Sequence, residues 1–135
     1  MKRPVALLDT SALITSMDTD VVAALPFERL VVSSLTYAEL RLGLVTAKDR
    51  KSLDHRTSRL IDIAQLLGPG LPFDDACALE YERITTAAVD QGQRPRANAM
   101  DRMIAASAAA HRMPILTRNS RDLPGLDGLV EIIEL

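Results

Sequence analysis

At 135 residues, with 47% hydrophobic and 25% charged positions, the chain has the length and composition of one ordinary globular domain, taken as residues 1–135. Aromatics make up 3% with no Trp, so the core must be built from Leu, Ile, Val and Ala, and base-stacking platforms for reading single strands are disfavoured. A net charge of −2 does not mark the whole molecule as a nucleic-acid binder, and the single Cys77 leaves no internal disulfide, which makes the reducing cytoplasm the expected compartment.

The first apolar run, residues 4–8, reads as a buried strand. The preceding Met1-Lys2-Arg3 imitates the basic start of a signal peptide, but Asp9 ends the apolar run after Leu8, so neither a signal peptide nor a membrane span is expected. Two short helices, 11–17 and 20–25, lead to a second strand at 30–33 and a helix at 35–46. A longer helix over 49–67 is polar in its first half, as a segment that projects toward a partner or a second copy would be. Gly68-Pro69-Gly70 introduces a short strand at 71–73, followed by a helix over 75–91. An alanine-rich helix over 98–111 is apolar nearly all round and therefore buried; strands at 114–117 and 129–133 complete the pattern. Short apolar runs alternating with helices predict an α/β domain with a central parallel sheet of about five strands.

Four acids stand where this chain leaves a strand or enters a helix: Asp9, Glu39, Asp101 and Asp122. In a parallel sheet those places converge on the crevice at the carboxyl ends of the strands. Clustered carboxylates repel unless a cation neutralises them, and an all-oxygen set suits Mg²⁺ or Mn²⁺. The pattern thus indicates metal-dependent chemistry on phosphate esters. Each acid also has a structural alternative. Asp9 fits an N-cap, and Glu39 fits a capping box with Thr36, unless Ser34 is the cap and Glu39 is free to point along the sheet edge. Asp101 suits the first turn of a helix capped by Asn98, although an apolar helix would partly enclose it and create a need for a partner. Asp122 is a fair turn residue, with Asn119 an alternative oxygen donor.

Other patterns are weak. His55 and His111 are isolated, Cys77 has no His nearby, and the six glycines form no phosphate-cradling loop, which disfavours zinc and nucleotide-loop chemistry. Charge is uneven: between Arg94 and Arg121 six arginines face one acid, whereas between Leu71 and Gln93 five acids face one arginine. Solvated helix faces would account for either run, but the basic one brackets Asp101, and thirteen Arg against three Lys favours bidentate phosphate contact.

With these residues in view, the chain resembles the PIN-domain ribonucleases, in particular the VapC-type toxins of bacterial toxin–antitoxin pairs. The resemblance is carried by Leu8-Asp9-Thr10-Ser11-Ala12-Leu13, Thr36-Tyr37-Ala38-Glu39-Leu40-Arg41-Leu42-Gly43, Asp101-Arg102-Met103-Ile104-Ala105-Ala106 and Pro114-Ile115-Leu116-Thr117-Arg118-Asn119, in the family's order. It implies a three-layer α/β/α fold in which Asp9, Glu39 and Asp101 are catalytic and hold Mg²⁺ (or Mn²⁺), with Asp122, or Asn119 at the alternative place after Thr117-Arg118, as the fourth ligand. Thr10, Ser11, Thr117 and Asn119 would support the acids, and Arg94, Arg96, Arg102, Arg118 and Arg121 would hold flanking RNA phosphates. The implied activity is endoribonucleolytic hydrolysis by metal-activated water, restrained by a cognate VapB-like antitoxin that covers the groove and inserts a basic side chain. It also implies a homodimer through helices near residues 35–67. The rival readings are a receiver-like signalling domain, a PIN-like binding module without catalysis, and a DNA-directed nuclease.

Overall fold

The computed structural model describes residues 3–14, 24–126 and 128–135. Strands β1 (Arg3–Leu8), β2 (Phe27–Val32), β3 (Ile115–Thr117) and β4 (Ile132–Glu134) form one sheet in the order β2-β1-β3-β4. Every pairing is parallel. Among the described residues five α-helices connect them: α1 (Thr10–Ile14), α2 (Ser34–Val45), α3 (Arg50–Leu67), α4 (Asp75–Asp90) and α5 (Ala99–Ala110). A short 3₁₀ turn, Ser120–Asp122, follows β3.

The period-two alternation of the strands divides the interior into two cores. Leu7, Val31 and Ile115 point to one face, where Ile84 of α4 and Ile104, Ala105 and Ala108 of α5 cover them. Ala6, Leu8, Val32 and Leu116 point to the other, against Ala12 and Leu13 of α1 and Ile63 of α3, with Tyr37 and Leu40 of α2 at the margin. This is the expected three-layer α/β/α arrangement. Leu7, Ile84, Ile104, Ile115 and Leu116 are fully enclosed, so truncating any one to Ala should cost about 2–5 kcal/mol.

The third expected strand, 71–73, shrinks to a single parallel bridge between Leu71 and Ser33, so among the described residues the sheet has four strands rather than about five. Leu71 makes both of its ladder bonds, donating to Val32 O at 2.8 Å and accepting from Ser34 N–H at 2.9 Å. Gly70 lies so close that a Cβ there would be 2.7 Å from the Ser34 nitrogen, Pro72 brings no N–H, and Asp74 already caps α4. The second strand starts earlier than expected, at Phe27, and ends at Val32; the last begins only at Ile132. The helix expected over 20–25, and the end of the one expected over 11–17, lie largely outside the described residues.

Candidate active site

Sheet register brings the first elements of the site together. Leu8 pairs with Val32 on one side and Leu116 on the other, so Asp9, Ser33 and Thr117 emerge abreast from the carboxyl edge. The Asp9 carboxylate is 3% exposed. Its Oδ1 accepts the Thr10 N–H at 2.8 Å; its Oδ2 accepts Thr117 Oγ1 at 2.8 Å and Ser11 Oγ at 3.1 Å. Donors from both sides fix its orientation and satisfy its lone pairs. Ser11 Oγ also accepts the Arg118 N–H at 3.0 Å, and Thr117 Oγ1 accepts the Asn119 N–H at 3.0 Å, which ties the chain beyond β3 to α1.

Ser33 caps α2, its Oγ accepting the Leu35 N–H at 3.0 Å, so neither Ser34 nor Thr36 fills that place. The Thr36-x-x-Glu39 spacing serves another purpose: one turn apart, both side chains face Thr10. Thr10 Oγ1 donates to Glu39 Oε1 at 2.6 Å and lies 3.1 Å from Thr36 Oγ1. Since the Thr10 proton goes to Glu39, the fully buried Thr36 supplies the proton of the second bond. Sequence reasoning missed Thr36 in this role because capping-box spacing and same-face spacing are identical.

Asp101 sits in the first turn of α5, whose preceding residue, Asn98, adopts a left-handed conformation (φ 50°) and makes no side-chain cap. The Asn98 Nδ2 instead donates to the Asp122 carbonyl at 3.4 Å. Burial first, then the charges of Asp9, Asp122 and Glu39, push the Asp101 carboxyl up to about 6. The charges of Asp9, Asp122 and Glu39, on a strand end, the 3₁₀ turn and α2, are thus all felt at Asp101 on α5. Among the described residues none of the four is ion-paired, and no three acids, histidines or cysteines stand close enough to hold an ion as placed. They share a field without closing on a point.

Arg94, Arg96, Arg118 and Arg121 are exposed, as a phosphate-facing role requires. Arg102 is not. It is 2% exposed, and its Nη1 donates to the carbonyls of Arg94 and Pro95 at 3.1 and 3.0 Å. One residue along a helix is a rotation of about 100°, so the arginine next to Asp101 turns inward where Asp101 turns to the site. His55 and His111 are exposed and Cys77 is buried, as read from the sequence. A cleft of about 350 Å³ opens from Glu39 between α2 and α3, lined also by Leu13, Leu40, His55, Arg56 and Arg59. No described helix is long and apolar enough to cross a membrane.

Residues 6–128 match the PIN domain. The chain is 34% identical over 132 residues to ribonuclease VapC5 of Mycobacterium tuberculosis, covering 96% of this chain and 94% of that relative. Among solved structures, VapBC-5 from M. tuberculosis, a member of the VapBC family of toxin–antitoxin systems, superimposes with a TM-score of 0.80 at 32% identity, over 97% of this chain and 98% of that one. FitAcB from Neisseria gonorrhoeae gives 0.74 at 32% identity over 96% of each chain. A match over most of the length, in sequence and in fold, leaves no place for a receiver domain: the chain belongs to the PIN-domain family.

Proposed function

We propose that this chain is a divalent-metal-dependent endoribonuclease, the toxin of a type II toxin–antitoxin pair. The observation that carries the chemistry is the buried, hydroxyl-held Asp9 at the sheet edge with Glu39 tied beside it through Thr10, their charges and that of Asp122 raising the Asp101 carboxyl. The donor set fits a hard cation, since the carboxylates are backed by Thr10, Ser11 and Thr117 hydroxyls, and no thiolate joins them. A bound Mg²⁺ or Mn²⁺ would neutralise charge on the phosphoryl oxygens and acidify water for in-line attack.

The protein's own part is to hold its oxygens still. Asp9 is fixed by its hydroxyl and amide donors, and Glu39 by the Thr36–Thr10 relay. Asp122 is taken as the fourth acid, its charge being felt at Asp101. Exposed Arg94, Arg96, Arg118 and Arg121 would bind phosphates flanking the scissile bond.

The relatives' identity as a ribonuclease and as members of toxin–antitoxin complexes supports RNA as substrate and a VapB-like antitoxin as partner. Such a partner would cover the acid edge and place a basic side chain among the carboxylates. Exposed Leu42, Val45, Ile61 and Leu66 on α2 and α3 favour a homodimer through those helices. The presence of every acid counts against a non-catalytic module. The test is incubation of a structured RNA pool and a matched single-stranded DNA with the purified, antitoxin-free protein in Mg²⁺ or Mn²⁺, with EDTA as control. Discrete RNA products that EDTA abolishes are expected; DNA cleavage at a comparable rate would redirect the assignment, and no cleavage by the folded protein would overturn it.

A further inference from the structure

Arg102 lies beside Asp101 in the first turn of α5, buried, and among the described residues no carboxylate pairs with it. Its Nη2 is also buried without a hydrogen-bond partner among those residues. Enclosing a guanidinium against two neutral carbonyls, with a donor left over, is a poor way to stabilise a core; an aliphatic side chain would serve packing at least as well. What the arginine does accomplish is local. Through the Arg94 and Pro95 carbonyls it ties the loop ahead of α5 to the helix that carries Asp101.

That loop touches the segment carrying Asp122 at both of its ends. The Arg94 carbonyl also accepts the Ala97 N–H at 3.1 Å, closing a turn, and Asn98 then reaches the Asp122 carbonyl with its Nδ2 at 3.4 Å. At the other end Gln91 packs on Gly125, where an added Cβ would be 2.5 Å from Gln91 Cγ. Asp122 itself sits in a three-residue 3₁₀ turn, with little regular structure of its own to fix it.

We propose that Arg102 is a positioning residue for Asp122: it pins the 94–98 loop, and through Asn98 the loop holds the Asp122 turn in place against the start of α5. The inference rests on reading Asp122 as part of the acid site, and it assigns to a buried arginine a role in placing a carboxylate that it does not touch.

Two measurements test it. The first, amide hydrogen exchange, does not depend on nuclease activity. Relative to wild type, Arg102→Met should speed exchange at residues 119–123 about tenfold while core strands keep their protection, with Arg102→Lys intermediate. Asn98→Gly, which tolerates the left-handed backbone but removes the Nδ2 donor, should reproduce the effect at 119–123. The second is a double-mutant cycle on RNA cleavage. Arg102→Met should lower cleavage about tenfold in the wild-type background but less than about twofold in Asp122→Asn, because a residue acting through Asp122 has nothing left to position. Equal losses in both backgrounds, or unchanged exchange at 119–123, would overturn the proposal. Should Arg102→Met fail to fold, Arg102→Lys and Asn98→Gly are judged by the same two criteria. If the wild type does not cut RNA, the functional assignment fails, and the exchange data still decide the role of Arg102.

Discussion

At Asp101, burial and three neighbouring carboxylates act in the same direction, so the metal-free fold is strained by its own site. The carboxyl is raised from 3.8 to about 6, which means the folded state binds more protons than the unfolded state between those values. Stability without metal therefore falls as pH rises from about 4 through about 6 and stays lower above. Two pH units correspond to about 3 kcal/mol, which solvent screening at this half-buried group reduces to about 1–2 kcal/mol. Asp101→Asn should then melt roughly 3–8 °C higher than wild type in EDTA at neutral pH, and the gain should vanish near pH 4. A melting point that is unchanged or lower at neutral pH would contradict the clustering of acids. At Thr36 the expected effect is on orientation. Thr36→Val removes the hydroxyl that donates to Thr10, which should cost about 1 kcal/mol of stability and lower kcat roughly three- to tenfold at similar KM. Thr36→Ser should restore the rate; equal impairment of the Ser and Val variants would show that packing, not the relay, matters.

At the scale of elements, most of what builds the site was legible in residue order. The apolar run before Asp9 marked the central strand, and the alanine-rich stretch after Asn98 marked the buried helix. What stayed hidden depends on partners rather than patterns. A one-residue bridge at Leu71 has no periodicity to detect, and the start of β2 is masked by the exposed Glu28 and Arg29. Charge counting placed Arg102 with the phosphate-binding arginines because a count carries no direction, whereas the helix turns that side chain inward. The four acids were found as candidates, but the setting of Asp9 between Ser33 and Thr117 depends on the register that sets Leu8 beside Val32 and Leu116. The exposed arginines give the element-scale prediction. Measured in an Asp101→Asn background, changing Arg118 and Arg121 to Gln should weaken RNA binding. It should also flatten the dependence of log affinity on log salt by about 0.7 for each phosphate that is no longer neutralised. An unchanged slope would remove the pair from the RNA-binding surface.

For the molecule as a whole, a nearly neutral net charge conceals the division of labour. Asp9 stands at the carboxyl edge of the sheet with Glu39 tied to Thr10 beside it, exposed arginines lie in the segments around α5 and β3, and α4, just before that basic segment in sequence, carries acidic residues. The parallel sheet supplies one rigid edge onto which remote parts of the chain deliver oxygen atoms, and the two helical layers hold that edge in place. The central claim is that four carboxylates act as one metal-dependent site. It is tested most directly by RNA cleavage in Mg²⁺ by wild type, Asp9→Asn, Glu39→Gln, Asp101→Asn and Asp122→Asn, with Asn119→Ala for comparison. Each acid variant should fold and lose about a hundredfold or more of the EDTA-sensitive activity, ~2.7 kcal/mol in the barrier, while Asn119→Ala stays near wild type. Wild-type turnover by folded Asp101→Asn would contradict it.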